Sequence, residues 1–82
     1  MMIVNVDDYK YAALLGATRP GVITNEAELE RLTEEVNRLV TRGIKTEHLS
    51  PEEEKLLALL VRLIEDYEQR QEMRAAARLE AA

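Results

Sequence analysis

Any chemistry performed by this chain would have to come from its carboxylates, one histidine and a few hydroxyls. Glu30 and Glu34, or Glu65 and Glu68, stand at helical spacing and could face a metal ion held between two helices. A di-iron type of bundle needs inward glutamates together with a Glu-x-x-His motif. The single histidine, His48, lies in a connection and no such motif occurs, so solvated acidic faces are the expected state of these carboxylates. His48 alone is no catalytic signal, because a nucleophile, a base and an orienting group must occur together. The candidate hydroxyls, Thr33, Thr41, Thr46 and Ser50, fall on helix faces or caps. Cysteine is absent, which removes disulfides and thiolate zinc sites. The expectation is a protein that is not an enzyme and uses no cofactor or metal.

Two groups of residues are better suited to binding than to catalysis. Tyr67 lies on an apolar helix face, where a core ring with its hydroxyl at the edge is the simpler reading and a ligand contact the sharper one. Tyr9 and Tyr11 near the N-terminus suit either core or interface. Arg70, Arg74 and Arg78 repeat at four-residue spacing and form a basic stripe that could contact phosphate or an acidic partner. The plainer reading of that stripe is a soluble helix end, favourable to the helix dipole.

The chain has 82 residues, a net charge of −5, no Phe or Trp, and three tyrosines as its only aromatics, so its core must be aliphatic. Domains of this size bury a modest fraction of their surface and often need a partner. The acidic balance argues against a sequence-independent nucleic-acid surface. A helix-turn-helix would need shorter helices and a polar, basic recognition helix, so no direct nucleic-acid binding is expected. No run is long enough for a transmembrane helix, and the start, MMIVNVDD, lacks a signal-peptide pattern. A soluble cytoplasmic protein with no membrane contact is the expectation.

The elements that must position these residues are helices. The clearest is Ser50 to Tyr67. Ser50 is a good N-cap, Pro51 fits the first helical position, and Glu53 completes a capping box. Glu52, Glu53 and Glu54 lie at the positive end of the helix dipole. Leu56, Leu60, Leu63 and Tyr67 form one apolar face, and Leu57, Val61 and Ile64 extend it to a second. A helix this apolar must be covered on more than one side. Ahead of it, Asn25 with Glu28 reads as a capping box, and Leu29, Leu32, Val36, Leu39 and Val40 make an amphipathic stripe. Glu34 to Arg38 offers one helpful pair on its outer face. Gly43 followed by Ile44 reads as a left-handed ending to that helix.

At the N-terminus, residues 1–6 could be an arm on a neighbour, an edge strand or a disordered end, with an arm favoured. Asp7 can cap a short helix over 8–15, with Val6 and Tyr11 placed for a hydrophobic staple and Gly16 as the stop. Pro20-Gly21 favours a tight turn, with Gly21 free to take a positive φ, and Val22 and Ile23 should tuck against the helices. Beyond Tyr67, residues 70–82 hold strong helix formers and few core residues, so the helix should continue with an end open to fraying.

The segments RPGVITNEAELERLTEEVNRLV and LSPEEEKLLALLVRLIEDYEQR resemble the N-terminal helical region of HigA-type antitoxins. The resemblance is carried by Pro20-Gly21-Val22-Ile23, the acidic start at Asn25–Glu28, Leu49-Ser50-Pro51-Glu52-Glu53, and Leu63-Ile64-Glu65-Asp66-Tyr67-Glu68, and it covers roughly residues 17–69. In that family the segment precedes a helix-turn-helix domain, and the antitoxin neutralises an RNA-cleaving, RelE-like toxin and represses its own operon. Past Glu68 the present sequence offers only a polar tail, as expected of a stand-alone family member, a diverged remnant or a fragment of a longer antitoxin. The activity the resemblance implies for these residues is protein binding.

The sequence thus predicts an all-α protein: one helical domain over 1–82 with a short helix at 8–15 and a long antiparallel hairpin of helices at 25–42 and 51–69. Two hairpins pairing into a four-helix core would cover the second face, so a homodimer through Leu57, Val61, Ile64 and Tyr67 is expected. Arg70, Arg74 and Arg78 are the expected tail contacts. The expected function is an antitoxin-like module for a RelE-like toxin, with a purely structural homodimerisation module as the alternative.

Overall fold

The computed structural model describes residues 6–81, and among them the fold is all-α, with no strand. Three helices follow one another: α1 (Asp8–Thr18), α2 (Glu26–Thr46) and α3 (Pro51–Ala81). The arm expected over 1–6 lies outside the described residues except for Val6, which is half-buried.

Each helix starts where its capping chemistry directs. The Asp7 carboxylate accepts from the backbone N–H groups of Tyr9 and Lys10 at 3.0 and 3.1 Å. Asn25 Oδ1 accepts from the Glu28 N–H at 2.9 Å. The reciprocal half of that box is missing, because the Glu28 carboxylate turns to Arg31 instead, at 3.1 Å. At α3 the box is complete: the Glu53 N–H donates to Ser50 Oγ at 3.1 Å, and the Ser50 N–H donates to Glu53 Oε1 at 3.0 Å.

The helix ends differ from the sequence reading. Gly16 does not stop α1, which runs on to Thr18, and Arg19 takes the left-handed conformation at φ 49°. Gly43 does not stop α2 either, since the left-handed residue is Glu47 at φ 58°, and Ile44 is helical rather than beyond a cap. Gly21 keeps a negative φ, so the expected left-handed glycine turn is absent. A glycine stops a helix only if the chain needs a left-handed residue there. The residues after Gly43 tolerate helix, and its missing side chain serves another purpose. A Cβ at position 43 would lie 3.1 Å from Leu49 Cγ, so the glycine lets the α2–α3 connection fold closely against α2.

The long helices are antiparallel, as two contacts at opposite ends prove. Arg42 near the end of α2 pairs with Glu53 at the start of α3 at 2.6 Å. Tyr67, far along α3, donates its hydroxyl to Glu26 at the start of α2 at 3.2 Å. Between these two clasps lies the core: Leu32 and Leu39 from α2, and Leu56, Leu60 and Tyr67 from α3. Ile23, from the α1–α2 linker, is fully buried in the same cluster, whereas its neighbour Val22 is 64% exposed, so only one of the two apolar linker residues tucks in.

Helix α1 lies along one flank of this hairpin. Tyr11, Leu14 and Leu15 pack against the core cluster. Lys55 Nζ stands 4.4 Å from the Tyr11 ring centroid, a cation–π contact. Arg31 on α2 secures the far end of α1 by donating to the Thr18 and Arg19 carbonyls at 2.6 and 3.0 Å. A guanidinium at these terminal carbonyls satisfies acceptors the helix cannot and suits its dipole.

Helix α3 is one continuous helix of 31 residues against 21 in α2. At 1.5 Å per residue the difference is about 15 Å, and the long dimension of the molecule is 52 Å. The final three turns of α3, beyond Arg70, therefore project past the start of α2; Gln71 is half-buried and residues 72–80 are exposed.

Candidate protein-docking face

The flank occupied by α1 determines which side of the hairpin stays open. Lys55, which meets α1, and Leu57 are about 200° apart around α3. Leu57, Val61 and Ile64 consequently face away from α1. Leu57 and Ile64 pack on the edge of the core and remain partly exposed, and Val61 is half-buried. On α2 the same flank carries Val40, 42% exposed, and Ile44, 73% exposed. Those two were not singled out as surface residues by the sequence. Val40 reads as the last member of the buried stripe, and the glycine at 43 diverts Ile44 into a supposed cap. The signal that could have found them is the continued four-residue step from Val36 through Val40 to Ile44.

Tyr67 does not belong to this open face. It is 4% exposed, within the intramolecular core, with its hydroxyl held by Glu26. Of the four residues expected to form an interface, the structure brings Leu57, Val61 and Ile64 to one surface and places Tyr67 beneath it.

The rim of the face is acidic. Glu54 lies one turn before Leu57, Glu65 one turn after Val61 and Glu68 one turn after Ile64, and all three are exposed. Among the described residues none of them forms an ion pair. An apolar strip edged by unpaired carboxylates is suited to a partner that presents apolar side chains within a basic surface.

The basic stripe is divided by the structure. Arg70 turns inward: its Nε–H donates to Asp66 at 3.1 Å and its NH2 group to the Ile23 carbonyl at 2.6 Å, while the guanidinium carbon sits 5.6 Å from the Tyr67 ring centroid. Arg74 and Arg78 remain exposed on the projecting end of α3.

The residues weighed for chemistry are dispersed. Glu30, Glu34, Glu65 and Glu68 are exposed, and His48 is exposed with its carbonyl accepting from the Thr46 hydroxyl at 2.6 Å. Among the described residues no group of three His, Cys, Asp or Glu side chains is placed to hold a metal ion. The helpful pair on α2 is Arg38 with Glu35 at 2.8 Å, three residues apart, rather than Arg38 with Glu34. A shallow groove of about 490 Å³ lies on the outer face of α2, lined by Glu34, Asn37, Arg38, Thr41 and Arg42 among others. Among the described residues no helix is long and apolar enough to cross a membrane.

No protein-family model, no curated protein and no solved structure matches this chain.

Proposed function

We propose that this protein is an antitoxin-like protein-binding module, and that its partner is a small basic protein of the RelE-like toxin class docking on the face of Leu57, Val61 and Ile64. The observation that carries this reading is the acid-rimmed apolar strip on the flank that α1 leaves open. Burying such side chains contributes about 25 cal/mol per Å² of apolar surface, and the carboxylates around them favour encounter with a basic surface. The net charge of −5 acts in the same direction. The likeness of residues 17–69 to the region that precedes the DNA-binding domain in HigA-type antitoxins supports the choice of partner class. The cytoplasm, where such toxins act on RNA, is the matching compartment.

The test is co-expression of the full chain with RelE-like toxins, scored by restored growth and by co-purification. The expected result is rescue that Val61→Glu abolishes while the helical content of the chain is retained. Rescue unaffected by Val61→Glu would place docking elsewhere. A chain that binds no such toxin, and whose salt-resistant dimer is broken by Val61→Glu, would establish the second reading, a structural homodimerisation module with a four-helix core. The same apolar strip favours that alternative.

A further inference from the structure

We propose that two copies of this chain pair by exchanging the projecting ends of α3, with Arg74 and Arg78 of each lying against Glu30 and Glu34 of the other. Leu60, Tyr67 and Arg74 are spaced seven apart, so the face that packs on α2 continues beyond the start of α2 as a basic row. Arg74 and Arg78 are exposed, and among the described residues neither forms an ion pair. The chain carries a matching pair of the opposite sign. Glu30 and Glu34 are exposed, lie opposite the buried Leu32 on α2, and form no ion pair among the described residues. Each pair is a like-charge step of four residues, which weakens its own helix until an opposite charge arrives. The two cannot meet within one molecule, because Glu30 and Glu34 face away from α3.

The register allows them to meet between molecules. Tyr67 and Glu26 share a level, fixed by their hydrogen bond. From that level Glu30 lies about 6 Å along α2 and Arg74 about 10 Å along α3 in the opposite direction. A two-fold axis across the hairpin, about 2 Å beyond this level, sets Arg74 opposite Glu30 of the second copy. The same axis sets Arg78 opposite Glu34, because both pairs have a pitch of about 6 Å. The end of the projecting helix then reaches the groove that begins at Glu34 and Asn37. Ala75 and Ala77 flank the row and leave room for close approach. A second copy fits better than a nucleic acid, since Glu72 and Glu80 stand on the opposite side of the same projecting end and the chain as a whole carries a net charge of −5. Exposed ion pairs make such a dimer weak and salt-sensitive. It leaves the strip of Leu57, Val61 and Ile64 uncovered and does not depend on the toxin reading.

Sedimentation velocity of the full chain at about 0.05 M and about 0.5 M salt tests this. The expected result is dimer at low salt and monomer at high salt. Arg74→Glu with Arg78→Glu should weaken the low-salt dimer about tenfold or more, and adding Glu30→Arg with Glu34→Arg should restore it. A variant set with Val61→Glu should leave this dimer unchanged, which separates it from the docking face. A mass that ignores the arginine changes, a swap that fails to restore pairing, or a monomer whose arginine row retains single-stranded RNA would overturn the proposal.

Discussion

Glu53 lies 2.6 Å from Arg42 through one carboxylate oxygen and accepts the Ser50 N–H through the other, so one side chain both caps α3 and fastens it to the end of α2. The Ser50 N–H is the main cause holding this carboxyl below the ordinary glutamate value. The Ser50 hydroxyl and the charges of Arg42 and Arg38 add to it, and burial opposes it. A depressed carboxyl contributes stability that is complete above the unfolded pKa and is lost as pH falls through the folded one. The chain should therefore lose stability below about pH 4. Glu53→Gln should cost about 1 kcal/mol at neutral pH and flatten part of that acid limb. Urea midpoints measured across the acid range check both, and a variant with an unaltered acid limb would contradict the account.

The two helical glycines should respond in opposite directions. A Cβ at Gly16 meets nothing within 4 Å, so Gly16→Ala should stabilise by about 0.5–1 kcal/mol through helix propensity. Gly43 faces Leu49, and Gly43→Val should cost about 1–3 kcal/mol through overpacking. Thermal melts of the pair decide the point, and a stabilised Gly43→Val would remove the close approach of Leu49 as the reason for that glycine.

Leu60 and Val61 are neighbours in sequence with separate duties. Leu60 is fully buried, so Leu60→Ala should cost about 2–5 kcal/mol. Val61→Glu should cost far less in stability while abolishing partner binding. Denaturation and co-purification of the two variants form one experiment, and equal stability losses would mean that Val61 is core.

Arg70 closes the linker by holding the Ile23 carbonyl. Arg70→Ala should cost about 1–3 kcal/mol, because a part-buried acceptor loses its charged donor. Hydrogen exchange should then quicken around residues 22–25. Arg74→Ala, outside the body, should change monomer stability by less than about 0.5 kcal/mol. Similar losses for the two arginines would contradict the division of the basic stripe.

Local signals carried most of the fold. Ser50 with Glu53, Asn25 and Asp7 marked the three helix starts because capping chemistry acts within a single turn. The leucine stripes named the core for the same reason, since one helix face is a local pattern. Features that depend on distant neighbours were not legible. Gly43 resembles a stop until Leu49 is seen beside it. Ile23 is buried and Val22 exposed for reasons that reside in α2 and α3. Arg70 reaches a carbonyl 47 residues away, which no spacing rule reveals. The open flank, and hence the candidate docking face, follows from which side α1 occupies, and Tyr11 meeting Lys55 has no sequence signature.

Because α3 passes from the core to its projecting end without a break, Tyr67 fixes the rotational phase of everything after it. One residue inserted after Arg70 would turn the remainder of the helix by about 100°, swinging Arg74 and Arg78 off the axis of α2 with no change in composition or charge. Four inserted residues would nearly restore their direction while carrying them about 6 Å further out. The projecting end thus behaves as a pointer whose bearing is set inside the body, so its aim and its reach can be altered independently of the chemistry at its tip.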